Sequence, residues 1–467
     1  MLITYGDWGA ASYANPAKEL PFKQTILNMM LSSPSHADDV SVLTIYKTGL
    51  NDMFLISHNY ARKWRYTYGA DKTIYMCWGK DASPNIPIVF GNQILEPKDE
   101  CKHMGVTLTT DRRKTTEICQ KRIGSGKYAL LSGLGLGGSG VRTSPNTLSK
   151  IYWGVVIPKM LYGIETTPTD ETTLDLLEDN HRQNALMIQN LPTRTPKPAV
   201  TAVLGWQSLR SFIAYLKVMF LLRVLCLDEE SLYRKLMITS IDVFNKNGDK
   251  RTLTPVGDML RYATQYGLTD MVRKCSISGN WKMVEGLKKK VKFIILKCDQ
   301  NLWKASCLLY RCLGTYNTCV TFKKLNVWWS FVAKTSGAFK SVSSVVALLC
   351  GTQPNGYGAN FGSRVRCQIC CDYTVETFEH IVFECLGLRE TRNTLLSELL
   401  EAMPPAMRES FTQLNNAQRL VFIISGLGSD VYIREWQEIY LKASRLIHIM
   451  FRERANRYIM CIDIAST

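Results

Sequence analysis

Two clusters in this chain are of the residue types that do chemistry. The first is Cys367-x₂-Cys370-x₉-His380-x₄-Cys385. Three thiols and an imidazole are four soft-to-borderline ligands, a set that suits tetrahedral Zn²⁺. Cys371 is a spare thiol beside them. A stretch as short as 367–385 has little core of its own, so a bound metal would supply its folding energy, on the order of 10 kcal/mol. The alternative is a set of unrelated cysteines and a surface His. The second cluster is His36-Ala37-Asp38-Asp39. Adjacent carboxylates in a tight turn are held close together and suit a hard cation such as Mg²⁺, which takes oxygen ligands. In two-metal phosphoryl transfer the ions stand about 3.5–4 Å apart and stabilise the attacking and leaving oxygens. The alternative is a solvated turn, where Asp is common.

Those residues must be held by a chain of 467 residues, long enough for two to four domains, with 46% hydrophobic residues to build a core. The balance of 57 Lys and Arg against 40 Asp and Glu leaves a formal charge of +17. That excess calls for a polyanionic partner, with nucleic acid the first candidate and an acidic membrane surface the second. No apolar run reaches the ~18–20 residues of a membrane span, and the opening MLITYGDWGA lacks the pattern of a secretory signal. With an odd count of 15 cysteines and no regular framework, a reducing compartment is expected, with thiols such as Cys226 and Cys307 buried among Leu neighbours. The expected location is intracellular, nucleus or cytoplasm. None of the six His stands in a hydrolase-like context.

Around Asp38-Asp39 the pattern is that of strands with an inserted helix. Val40, Val42 and Thr44 alternate as in a half-buried strand. Leu50, Phe54, Ser57, Ala61 and Trp64 then recur at helical steps. Thr73 to Trp78 reads as a strand, and Ile86 to Phe90 with Gln93 to Leu95 as a hairpin across Gly91-Asn92. From Thr110 onward the periodicity is helical, over Thr147–Ile164, Glu171–Leu191 and Leu209–Leu227. Residues 282–340 carry twelve Lys or Arg against Glu285 and Asp299, net +10, interleaved with Trp281, Phe293, Trp303, Tyr310, Phe322, Trp328, Trp329, Phe331 and Phe339. Such rings can stack bases while lysines meet phosphates; equally, they can be the core side of amphipathic helices. Gly351 to Ser363 reads as a linker. A last helix follows from Ile433, Trp436, Tyr440, Ala443, Ile447, Met450 and Phe451, with Arg445, Arg452, Arg454 and Arg457 offering a basic face. Gly133-Leu134-Gly135-Leu136-Gly137-Gly138 formally matches a dinucleotide-binding pattern but lacks the strand and acid that such a site needs, and reads as a loop between helices.

Five segments in order resemble the non-LTR (LINE-like, jockey-like) retrotransposon reverse transcriptases. His36-Ala37-Asp38-Asp39-Val40 is similar to their aromatic-Ala-Asp-Asp signature, with His where Tyr or Phe is usual. Trp64-Arg65-Tyr66 to Lys72-Thr73 resembles the next palm motif. Cys101-Lys102-His103-Met104-Gly105-Val106 resembles the Lys-x-Leu-Gly-Val strand after the palm, and Pro158 to Glu165 the Pro-x-x-Leu-Tyr-Gly-x-Glu helix of the thumb. Ala202 to Leu209, with Leu204-Gly205-Trp206, resembles the segment that follows. The likeness covers roughly residues 25–225 and resumes at the cysteine cluster, which resembles the CCHC knuckle near the C-terminus of these proteins.

The resemblance implies an α+β fold. It would comprise part of a reverse-transcriptase palm (antiparallel strands plus helix, 1–110), a helical thumb (111–240), a basic helical region (241–350), a linker with a small zinc knuckle (351–390) and C-terminal helices (391–467). It implies catalytic roles for Asp38 and Asp39, which would bind Mg²⁺, and for Lys72, near the incoming triphosphate. It implies Zn²⁺ on Cys367, Cys370, His380 and Cys385. The partners would be RNA and DNA, single-stranded or hybrid, with no membrane and no small-molecule cofactor beyond nucleotides. The first metal-binding Asp of the family and its Pro-Gln-Gly segment have no match ahead of His36, so polymerase activity of this chain alone is not expected. A non-catalytic, zinc-dependent nucleic-acid-binding protein is the alternative.

Overall fold

The computed structural model describes residues 2–6, 35–36, 39–44, 47–69, 72–78, 87–91, 93–111, 114–134, 143–247, 254–333, 335, 337–353, 366–370, 374–427 and 436–465. Helices dominate, with a few short strands, so the chain is α+β in the general sense. It divides into two units, each assembled from three separated stretches: Met1–Arg122, Leu161–Leu174 and Ile213–Lys292 in one, Ile123–Met160, Asp175–Phe212 and Phe293–Thr467 in the other.

In the first unit the alternation of Val40, Val42 and Thr44 produces strand β3 (Asp39–Thr44), which pairs antiparallel with the short β2 (Ser35–His36) in the register His36↔Asp39. The helix Lys47–Lys63 follows, then β4 (Ile74–Trp78). Strand β1 (Leu2–Gly6) lies between β3 and β4 and runs parallel to both, giving the sheet order β2-β3-β1-β4. An antiparallel palm sheet is the expectation; among the described residues of this unit antiparallel pairing occurs in β2–β3 and in two separate hairpins, β5 (Ile88–Phe90) with β6 (Gln93–Leu95) and β7 (Glu100–His103) with β8 (Val106–Thr109). β4 buries Tyr75, Met76 and Cys77 in succession, as a strand covered on both faces does. Tyr75 and Cys77 join Phe54, Ile88, Phe90 and Leu95 in one cluster, where the Phe54 and Phe90 ring centroids are 4.8 Å apart.

The β7–β8 turn shows what two of the family-like segments do physically. Met104 and Gly105 both have positive φ, 49° and 78°, as a two-residue hairpin turn requires. The Tyr162 hydroxyl donates to the Met104 carbonyl at 3.1 Å. Gly163 has φ 72°, and a Cβ there would come within 2.7 Å of a Val106 methyl. Met104-Gly105-Val106 and Tyr162-Gly163 are thus one contact. The unit also contains a buried polar lock. Asp258 accepts from the Lys217 ammonium at 2.9 Å and from the Thr169 N–H and hydroxyl at 3.1 and 3.0 Å. Lys217 is fully enclosed, so this pairing is what makes its charge tolerable.

In the second unit the helix Glu171–Gln189 lends Glu178 to the N-terminus of the helix Leu209–Leu225. One Glu178 oxygen accepts from the N–H groups of Leu209 and Arg210 at 2.8 and 3.0 Å, and Asp299 accepts from the Ser208 N–H at 3.0 Å. These are N–H groups that a helix leaves without an internal partner. Burial nevertheless pushes the Glu178 carboxyl up to about 7. Trp206 of the family-like Leu204-Gly205-Trp206 stacks on Tyr152 with centroids 4.3 Å apart and donates to the Ser149 hydroxyl at 2.7 Å. Of the rings interleaved in the basic stretch, Trp328, Trp329, Phe331 and Phe339 are core, while Phe293, and Trp281 of the first unit, stand in solvent. All eleven described cations of 282–340 are exposed, Lys334 lying outside the described residues. The final helix, Gln437–Ala465, buries Tyr440, Ala443, Ile447, Met450 and Phe451 at the spacing that the sequence shows. Ile433 lies outside the described residues, as do 354–363 of the Gly-rich segment and 135–138 of the glycine motif. Thr352 and Gln353, at the start of that segment, are buried.

Candidate metal centre

The chain reaches Cys367 through an isolated bridge between Arg366 and Val375, with the Cys367 N–H donating to the Thr374 carbonyl at 2.9 Å. This tight return puts Cys367 and Cys370 on one side of a small loop. His380 opens a π-helical turn, His380–Glu384, whose Ile381, Val382 and Phe383 are buried, and Cys385 follows it. The four ligand atoms converge: all lie within 4.8 Å of one another. The Cys367 and Cys385 sulfurs are 3.8 Å apart, and the Cys370 sulfur is 3.4 Å from His380 Nε2. Among the described residues this is the one group of three or more Cys, His, Asp or Glu side chains so gathered. Three thiols and one imidazole at these separations can hold a metal ion, and their chemistry is compatible with zinc. Bringing thiols so close perturbs them. The Cys367 thiol is lowered to about 4, chiefly by the Cys385 thiol and further by the backbone N–H groups of Cys370 and Ile369, while its proton-sharing partner Cys385 is pushed up.

Around the ligands stand Thr374 and Glu384, which face the imidazole. His380 Nδ1, the nitrogen turned away from Cys370, lies 3.4 Å from the Thr374 hydroxyl and 3.8 Å from a Glu384 carboxylate oxygen. A partner on that nitrogen fixes the ring and leaves Nε2 to face a metal. Glu384 was visible as the residue before Cys385, but without a fold nothing connected it to His380. Gly387 is where the loop closes on itself: a Cβ there would come within 2.8 Å of the Ile369 carbonyl oxygen.

Three arginine-dependent contacts hold the centre, two from the final helix and one, through Arg392, from the helix Arg389–Ala402. Arg454 and Glu376 form a two-pronged pair, Nε to Oε1 at 2.9 Å and an outer guanidinium nitrogen to Oε2 at 2.7 Å. Their side chains are only 1% and 3% exposed. Arg457 donates to the Gly387 carbonyl, and Arg392 to the Cys385 carbonyl at 2.7 Å. The sequence pattern suggested a basic solvent face for Arg445, Arg452, Arg454 and Arg457. Arg445 and Arg452 are exposed, but Arg454 points inward, because Glu376 supplies a buried counter-charge that no helical periodicity could reveal.

The other candidate residues are not gathered in this way. Asp38 lies outside the described residues, and Asp39 is described as backbone at the start of β3. Lys72 is exposed in the turn that leads to β4, its N–H donating to the Gly69 carbonyl at 3.3 Å. Cys371 lies outside the described residues. Among the described helices none is long and apolar enough to cross a membrane. The chain matches no protein-family model, no curated protein and no solved structure in comparisons with known proteins.

Proposed function

We propose that this chain binds single-stranded or hybrid nucleic acid through a zinc-held module and a basic helical surface, as the C-terminal part of a non-LTR retrotransposon reverse transcriptase. The observation that carries the reading is the convergence of Cys367, Cys370, His380 and Cys385, with ligand atoms within 4.8 Å, in the spacing of a CCHC knuckle. The distribution of cations supports it. Lys290, Phe293, Lys297 and Lys304 recur at three-, four- and seven-residue steps along the helix Val284–Leu308, and all four are exposed. Lys297 lies 6.0 Å from the Phe293 ring centroid. A line of lysines with an open ring among them suits a phosphate backbone with an unpaired base. Zinc, on the four ligands, would supply the folding energy of the loop.

A second reading, residual polymerase chemistry, is favoured by one observation. β2 and β3 pair antiparallel in the register His36↔Asp39, and the helix and Lys72 follow before β4, in the order of a palm. Asp38 and Asp39 would there bind Mg²⁺. The strand beside β3, β1, has the sequence Leu-Ile-Thr-Tyr-Gly and offers no carboxylate to complete a two-metal site. We therefore assign binding rather than catalysis to this chain. Fluorescence anisotropy with single-stranded RNA and DNA, on protein whose zinc has been quantified, tests the proposal. It stands on salt-sensitive binding that weakens when zinc is stripped, and falls if the zinc-loaded protein does not bind at low salt.

A further inference from the structure

The end of the helix Lys47–Lys63 carries an aromatic and basic patch, Tyr60-Ala61-Arg62-Lys63-Trp64-Arg65-Tyr66. Tyr60, Trp64 and Tyr66 are 55%, 61% and 41% exposed. Three large rings in solvent within seven residues are unusual, and such patches mark interaction sites. The rings do not cover one another. Tyr60 meets Trp64 at 50° and Tyr66 at 71°, with centroids 6.1 and 6.4 Å apart, so ring faces are left open to a planar ligand. The patch is also anchored. Tyr66 leans on Tyr68 at 5.4 Å, and Tyr68 on the buried Phe90 at 5.3 Å.

The cations are set among the rings. Arg62, Lys63 and Arg65 are exposed, and the chain has no Asp or Glu between Asp52 and Asp71. Lys63 Nζ lies 5.9 Å from the Trp64 ring centroid. Arg65 ends the helix at φ 58°, with its N–H on the Arg62 carbonyl and the Tyr66 N–H on the Ala61 carbonyl. Glycine fills this left-handed capping position without steric cost. An arginine here accepts backbone strain and puts an exposed cation between Trp64 and Tyr66 in the sequence.

The geometry points to a stacking platform for unpaired bases, in which Tyr60, Trp64 and Tyr66 take base faces and Arg62, Lys63 and Arg65 take the flanking phosphates of a single strand. A duplex would not suit it, because its base faces are already stacked. The inference rests on the nucleic-acid reading above and adds a third contact surface, distant in sequence from the basic helix and the metal centre.

The test uses the full, zinc-loaded chain with labelled 20-nucleotide oligouridylate and oligodeoxythymidylate, followed by anisotropy from ~50 to ~300 mM salt. Loss of one stacked base in Trp64→Ala is expected to weaken binding about 5- to 150-fold with the salt slope unchanged, and Trp64→Phe to retain most of the affinity. Arg65→Gly is expected to lower the log K against log salt slope by about 0.7, one phosphate contact, with a melting temperature equal to or above that of the wild type. Wild-type binding that Trp64→Ala and Arg65→Gly leave untouched overturns the platform and leaves the broader reading in place. A wild type that binds neither oligonucleotide overturns both. The platform is also overturned if Trp64→Ala abolishes binding to phosphatidylserine/phosphatidylcholine vesicles but not to the oligonucleotides, which makes the patch a lipid surface.

Discussion

Removing one half of the Arg454–Glu376 pair should be strongly destabilising although neither residue is a metal ligand. Both charges are almost completely out of water, and each satisfies the other through two bonds of 2.9 and 2.7 Å. Arg454→Met keeps the apolar stem but leaves the Glu376 carboxylate buried without its partner. Breaking a buried pair in this way costs about 3–5 kcal/mol. Replacing both, Arg454→Met with Glu376→Leu, removes the stranded charge and should recover most of that loss, so the double-mutant cycle carries a coupling of roughly 2 kcal/mol or more. The damage should reach the metal. Glu376 is four residues from His380, and the next residue, Thr377, accepts from the His380 N–H at 3.1 Å. Chemical denaturation of zinc-loaded protein measures the stability, and the rate of zinc transfer to a chromogenic chelator measures the site. Zinc should leave Arg454→Met faster than it leaves the wild type and the double variant. A cost below about 1 kcal/mol, or a double variant no more stable than the single one, would refute the reasoning that this pair docks the loop on the final helix.

The remaining expectations are briefer. Elemental analysis should find one zinc per chain, lost in a Cys370→Ser, Cys385→Ser double variant; zinc that survives those changes sits elsewhere. Log K for single-stranded nucleic acid should fall linearly with log salt, and charge reversal at Lys290, Lys297 and Lys304 together should flatten that slope by about 2, an unchanged slope excluding this helix face. Glu178 is held protonated more tightly in the fold than in the unfolded chain, so its contribution is fully present below about pH 4.5 and is lost as pH rises through about 7. Glu178→Gln keeps an acceptor for Leu209 and Arg210 and should remove roughly 1–3 kcal/mol of pH dependence across that window; a denaturation midpoint with the same pH profile as wild type would exclude the assignment. Primed homopolymer with Mg²⁺ or Mn²⁺ should show no nucleotide incorporation, and incorporation abolished by Asp38→Ala would reverse the assignment of binding over catalysis.

Period and spacing alone determined much of this protein. The alternation from Val40, the helical steps from Leu50 through Ala61, the strand ending at Trp78 and the last helix from Tyr440 to Phe451 are all where local pattern puts them, because burial of one face imposes the period. The four metal ligands were legible for a related reason, since a short loop with close cysteines has few other ways to gain stability. What the sequence could not decide was which equally suitable residues face inward. Trp328 and Trp329 went to the core while Trp281 and Phe293 did not, although all four sit in the same basic stretch. Arg454 is paired and Arg452 is solvated, two residues apart on one helix. Met104-Gly105-Val106 and Tyr162-Gly163 read as separate motifs and are one packed contact. β1 entered the sheet between β3 and β4 parallel to both, where alternation gives no direction. In each case the deciding partner lies tens of residues away or more, and its contribution exists only once the backbone has brought it within contact distance.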